Sequence, residues 1–204
     1  MTIYDYPGCP FGRKVRIVLA EKELSFDSVS VDLARGQQRS EEFRRLNPFG
    51  KVPVLVDESS VVYESSIINE YLNDEYPHEP ELLPEDSGER ARTRLLVDFA
   101  DRAFTLPVMA LEREAKAAAG DKDEARAQAA REAVTKALQM LERELAGREY
   151  LAGDFSLADV AFAPALLMLP QVGVAIDASL ANVAAWKARL LQRPSIGKIA
   201  KSAA

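Results

Sequence analysis

The chain has one cysteine and one histidine in 204 residues. Cys9 therefore has no partner for an internal disulfide. His78 has no neighbouring ligand residue, which excludes a zinc site of the usual spacing and a triad built on histidine. No glycine-rich phosphate loop and no internal repeat is visible. Positive charge is in the minority: 26 basic against 32 acidic residues leave a net charge of −6, which argues against a nucleic-acid binder working through a broad basic surface. The sequence also lacks the run of about 20 uninterrupted apolar residues that a membrane span needs. Its most apolar stretch, Leu157 to Ile176, carries Asp159, Pro164 and Pro170 and reads as a buried core helix. The first five residues have neither the charged start nor the apolar run of a signal peptide, so the expectation is an intracellular protein with a reduced thiol.

What the chain does have is a globular composition, with 48% apolar and 28% charged residues. Its length allows one large domain or two small ones and is enough to bury a sizeable core. The chemistry points to one stretch, Tyr6-Pro7-Gly8-Cys9-Pro10-Phe11-Gly12, followed by Arg13-Lys14-Val15-Arg16. A short β-type segment, Thr2 to Tyr6, turns at Pro7-Gly8 into a helix opened by Pro10, since proline suits the first helical position. This places Cys9 at the N-cap, where unpaired amides and the helix dipole favour a thiolate and its pKa is expected to fall. Three basic residues and no acidic one between Tyr6 and Ala20 point the same way. Two roles suit Cys9: a reactive thiol, or a small buried apolar residue.

Further along, residues 26–33 read as a strand parallel to the first, joined to it by the helix. Ser40 to Leu46 reads as a short polar helix ended by Asn47-Pro48-Phe49-Gly50. Residues 51–56 and 61–63 read as an antiparallel hairpin, with Lys51-Val52-Pro53 opening its first strand. A helix over Ile67 to Glu75 follows, with a serine at its N-cap. The order β-α-β-α-β-β-α over about 75 residues makes a compact α/β unit. The proline-rich, acidic stretch from 77 to 86 reads as a linker. Everything beyond it reads as helical: a long helix from Ser87 to Ala118 with a break or kink at Pro107, another from Glu124 to Ala146, an apolar helix opened by the capping box Ser156 to Asp159, and a further helix from Asn182 to Gln192.

At full length the chain resembles the cytosolic glutathione transferases. The resemblance rests on the strand-turn-helix around Cys9, the Lys51-Val52-Pro53 strand entry, Glu64-Ser65 before a helix, the proline-rich linker and the Ser156 to Asp159 box. It implies two domains: a thioredoxin-like α/β domain over 1–76, then a linker over 77–86 and an all-helical bundle over 87–204. The start Ile3 to Phe11 is most similar to the cysteine-type members such as the omega class. It is also similar to the stringent starvation regulators, which use this fold without its catalysis.

The resemblance implies a site as well. The Pro53 peptide would be cis, so that the backbone of Val52 pairs with the cysteinyl part of glutathione. Ser65 would hold the γ-glutamyl carboxylate, Glu64 its ammonium, and Lys51 would lie near the glycyl end. Cys9 would be the catalytic residue, with Tyr4 and Tyr6 as rivals on the first strand. Glutathione is the implied co-substrate and no metal is implied. The implied partners are a small electrophile or disulfide and a second copy of the chain in a homodimer, with neither nucleic acid nor membrane. A cysteine in the catalytic place implies thiol transfer through a mixed disulfide. Gly12 stands where a Cys-x-x-Cys pair would have its second thiol, so a second glutathione would resolve that intermediate. The alternative function is a non-enzymatic regulator that binds RNA polymerase or another protein.

Overall fold

The computed structural model describes residues 1–78 and 80–202; Glu79, inside the expected linker, and Ala203 and Ala204 lie outside the described residues. The chain divides into two compact units, Met1–Glu81 and Leu82–Ala204.

The first unit runs β1 (Thr2–Asp5), α1 (Pro10–Glu21), β2 (Asp27–Ser30), α2 (Glu41–Leu46), β3 (Val54–Asp57), β4 (Ser60–Tyr63) and α3 (Ser65–Glu75). The four strands form one sheet in the order β2-β1-β3-β4. β1 and β2 are parallel, the pairing that needs a crossover, and α1 supplies it. β1 and β3 are antiparallel, as are β3 and β4, with Tyr4 opposite Val54 and Val54 opposite Tyr63. Ile3, Val54 and Leu55 from the strands and Val15, Val18, Leu19, Ile68 and Leu72 from the helices are all fully buried. α1 packs along α3. This is the thioredoxin-like α/β fold.

Three local expectations are corrected. β2 is shorter than residues 26–33, and as the edge strand it has one neighbour only, so every one of its residues is exposed. β3 begins at Val54, not at Lys51. The Val52–Pro53 peptide is cis, Pro53 has no N–H for a ladder, and the Lys51 carbonyl accepts Asn47 Nδ2 at 2.8 Å. α3 begins at Ser65, so neither serine is its N-cap; Glu64 occupies that position. Ser66 instead accepts a hydrogen bond from Lys14 Nζ at 2.9 Å.

The second unit is helical: α4 (Ser87–Phe99), a π-helical segment (Ala100–Thr105), α5 (Leu106–Lys116), α6 (Glu124–Glu144), α7 (Leu157–Met168), α8 (Ala181–Gln192) and α9 (Pro194–Ser202). The expected break at Pro107 takes a different form. Backbone angles stay helical through Phe99, Ala100, Thr105 and Leu106, and the hydrogen-bond register shifts over residues 100–105, just ahead of the proline. Pro107 cannot bond the carbonyl four residues back and its ring crowds that position, and a wider turn absorbs both effects. α8 ends at Gln192 as expected, and α9, opened by Pro194, lies beyond the helices expected from sequence.

α7 is the centre of this unit, with eleven of its twelve residues buried. Ser156 Oγ accepts the Ala158 N–H at 3.3 Å and the Ser156 N–H donates to Asp159 Oδ2 at 3.0 Å, which forms the expected capping box. Asp159 Oδ1 also accepts the Leu151 N–H at 3.1 Å and Trp186 Nε1 at 2.8 Å, so one carboxylate ties α7 to the preceding loop and to α8. Among the described residues no helix is long and apolar enough to cross a membrane.

Candidate functional site

The sheet register gathers the candidate residues of the first unit. β1 runs antiparallel to β3 and β3 antiparallel to β4, so the exit of β1, the entry of β3 and the exit of β4 share one end of the sheet. Tyr4, Val54 and Tyr63 are cross-strand neighbours close to that end. Cys9 follows β1, Val52 and Pro53 precede β3, and Glu64 and Ser65 follow β4.

Cys9 is the N-cap of α1, with extended backbone angles and Pro10 next to it. Its N–H donates to the Tyr6 carbonyl at 2.8 Å and its own carbonyl accepts the Arg13 N–H at 3.0 Å, so the turn is closed on both sides. Gly8 lets the Tyr6 ring lie over the turn, since a Cβ would come within 2.7 Å of that ring and displace it. The acidity expected of Cys9 is reversed. Burial raises its pKa above the ordinary value and outweighs the amides of Gly12 and Phe11, which lower it without closing a capping hydrogen bond. Asp5 raises it further and Arg13 lowers it. Only 9% of Cys9 is exposed, so the thiol loses more hydration on ionising than the helix terminus returns.

The basic run does not surround the sulfur as a group. Arg16 binds Asp5 through Nε and Nη2 at 2.7 and 2.8 Å. Lys14 is buried, with its ammonium on Ser66 and 5.7 Å from the centre of the Phe11 ring. It joins the helix that carries Cys9 to the first turn of α3.

Val52 sits just outside the ladder. Among the described residues neither its N–H nor its C=O has a hydrogen-bond partner. These two groups are free to pair with an extended peptide, as the edge of a sheet does. Lys51 is exposed beside it.

Ser65 is buried at the first position of α3, where backbone N–H groups lack intrahelical partners and suit a carboxylate. Glu64 has φ 66° and ψ 112°, a conformation that glycine favours and that costs a residue with a Cβ about 1–3 kcal/mol. Its exposed side chain projects from this strained position. Tyr6 is 44% exposed at the end of β1, whereas Tyr4 packs against the cluster of Val31, Phe43 and Val54.

Sequence reasoning counted Lys14 and Arg16 as positive charge near the sulfur but missed their partners, and it missed Asp5 altogether. Asp5 had a readable signal: in an alternating strand it shares a face with Ile3, so it points inward and needs a cation. Among the described residues no cluster of three or more metal-ligating side chains occurs.

Comparison with known proteins bears on both units. Residues 8–75 match the family model of the glutathione S-transferase N-terminal domain, and residues 95–194 that of the C-terminal domain. Glutathione S-transferase F10 of Arabidopsis thaliana is 36% identical over 80% of this chain and 78% of its own. A stringent starvation protein A homolog of Coxiella burnetii is 34% identical over 96% of this chain and 88% of its own. The theta class glutathione S-transferase of Xanthomonas axonopodis pv. citri, solved with glutathione bound, superposes with a TM-score of 0.88 at 28% identity, covering 97% of this chain and 95% of its own. On these matches the chain belongs to the glutathione S-transferase family.

Proposed function

We propose that the chain is a glutathione-dependent thiol transferase of the cysteine type, with Cys9 as nucleophile. The observation that carries this reading is that Cys9, the unpaired backbone of Val52 and the open first turn of α3 all lie at one end of one sheet. Glutathione docks extended, with its cysteinyl backbone on Val52 beside Pro53 and its γ-glutamyl carboxylate on the α3 terminus at Ser65. Glu64 receives the γ-glutamyl ammonium, and Lys51 the glycyl end.

In the reaction the Cys9 thiolate attacks the glutathionyl sulfur of a small mixed disulfide. The Cys9–glutathione disulfide forms, and the other half leaves as a thiolate. A second glutathione thiolate then attacks the glutathionyl sulfur of that intermediate, releasing oxidised glutathione and restoring Cys9. With one cysteine in the chain, no internal thiol can take this second role. The raised pKa means that Cys9 rests as a thiol in the free protein, so its proton is lost as the disulfide is attacked and is taken up by the departing thiolate. Deglutathionylation, reduction of dehydroascorbate-type substrates and removal of groups from glutathione conjugates all fit this chemistry.

The protein acts as a homodimer in the reducing cytoplasm. Exposed Phe49, set edge-on to Tyr63, supports an apolar contact between copies, and light scattering measures the mass. Cys9→Ser tests the chemistry: transfer from a small mixed disulfide is abolished while retention on glutathione-agarose persists. Full transfer by that variant overturns the assignment.

The buried, weakly acidic Cys9 and the 34% identity with a stringent starvation protein A homolog favour a second reading. In it the chain is a non-enzymatic regulator that binds RNA polymerase or another protein. Failure of the well-folded protein to bind glutathione-agarose selects that reading.

A further inference from the structure

Asp5 closes β1 and is fully buried. Its carboxylate does not point along the strand but lies against the first turn of α1. A Cβ on Gly12 would come within 2.9 Å of Asp5 Oδ2 and 3.1 Å of Asp5 Cβ, so this approach exists because residue 12 is glycine. Cys9 occupies the N-cap position of that same turn. Arg16, one helical turn beyond Gly12, grips the carboxylate with two nearly parallel hydrogen bonds of 2.7 and 2.8 Å. The guanidinium is itself held from the edge of the sheet. Nη2 donates to Ser28 Oγ at 2.5 Å, and the Phe26 ring lies 5.5 Å from its central carbon. Three segments thus converge on one ion pair beneath the turn that carries the only thiol.

We propose that Asp5 and Arg16 act as positioning residues that govern how readily Cys9 ionises. A thiolate at the α1 terminus and the Asp5 carboxylate are like charges competing for the same helix dipole, so Asp5 opposes formation of the nucleophile. Arg16 cancels most of that opposition because it binds both carboxylate oxygens. The other groups facing the thiol are the Phe11 and Gly12 amides and Arg13, all from α1 and all favouring the thiolate, while Asp5 opposes it. The ammonium of Lys14 is directed to Ser66. Loss of Arg16 leaves a bare buried carboxylate next to the nucleophile, and loss of Asp5 leaves a cation there. The inference rests on Cys9 as the nucleophile for its place in catalysis, but the pair acts on the thiol whether or not glutathione binds.

The test is the rate at which iodoacetamide alkylates the full-length protein, followed by intact mass as a function of pH without glutathione. With one cysteine, each reacted molecule is a single mass step. Asp5→Asn, nearly isosteric, is expected to lower the pH midpoint and raise the rate at neutral pH by about threefold or more, the equivalent of half a pKa unit. Arg16→Gln is expected to move both the other way by a similar factor. The double variant should fall between the two, and Arg16→Lys, which keeps the cation, should stay near the parent. Midpoints that do not move, or that move in one direction for Asp5→Asn and Arg16→Gln alike, overturn the proposal. Thiol transfer is measured separately with Cys9→Ser, so a failed catalytic assignment is distinguishable from a failed charge pair.

Discussion

The buried carboxylate of Asp159 allows a prediction in which the sign is as informative as the size. Asp159 is completely buried and accepts four hydrogen bonds, from the Leu151 N–H, the Ser156 N–H and hydroxyl, and the Trp186 indole. The donors favour the ionised form, yet burial dominates and pushes its pKa from 3.8 up to about 6. A folded-state pKa above the unfolded one means that the native state binds more protons between these values. Its contribution to stability is therefore greatest below the unfolded pKa and declines as pH rises to about 6, with no further loss above. A rise of about two units corresponds to about 3 kcal/mol. The perturbation is Asp159→Asn, which removes the titration and keeps an acceptor for Leu151 and Trp186. The assay is equilibrium urea unfolding of parent and variant over about pH 4 to 7.5. Subtracting one curve from the other cancels every other titrating group. The parent should lose about 3 kcal/mol relative to the variant as pH rises, most of it below about pH 6. A flat difference, or one that grows in the parent's favour with pH, would show that the four donors outweigh burial and refute the reasoning.

Three shorter predictions follow from single contacts. Glu142 on α6 accepts the N–H groups of Asn182 and Val183 at 3.1 and 3.0 Å, and so caps α8, whose own N-cap residue Leu180 has no side-chain acceptor. Glu142→Ala should destabilise the protein by about 1–2 kcal/mol in urea unfolding; no change in midpoint would remove Glu142 as the cap. Glu64→Gly relieves the positive φ and is expected to gain about 1 kcal/mol while weakening retention on glutathione-agarose, a pairing that fails if stability falls or binding is untouched. Because burial raises the Cys9 pKa above that of an ordinary thiol, kcat/KM for thiol transfer should climb steadily with pH from about 6.5 to 8.5; a plateau near neutrality would contradict the resting thiol.

Element order was legible from sequence wherever local chemistry and tertiary packing agree. The α/β order to Glu75, the short helix α2 and the Ser156 to Asp159 box were all read from local pattern; Ser40, read as the first residue of α2, is instead its N-cap. Boundaries failed where a non-local contact takes over. A serine reads as the cap of α3, but Glu64 takes that position, and Lys14 binds the Ser66 hydroxyl from another helix. The strand expected from Lys51 loses its first residues because Asn47 binds the Lys51 carbonyl and a cis peptide follows. Pro107 signals a break correctly, but the chain places the irregularity in the preceding turn, where no residue type announces it.

The site divides along the same line. The positions of Cys9, Val52, Glu64 and Ser65 at one sheet end follow from the strand pairings; sequence pattern supplied the element order and the hairpin, and the family resemblance implied the rest. The acidity of Cys9 follows from neither, because three effects decide it and sequence displays only one. The N-cap position is local and was read correctly. Burial depends on what packs over the turn, and the nearby charge depends on a strand residue four positions earlier, outside the window in which basic residues are in excess. That window contains Arg16, whose charge is committed to Asp5, and Lys14, whose ammonium is committed to Ser66. Arg13 alone of the three acts directly on the thiol in the favourable sense; Arg16 acts only through Asp5. A run of like charge beside a nucleophile is therefore no measure of its field until each member's partner is known.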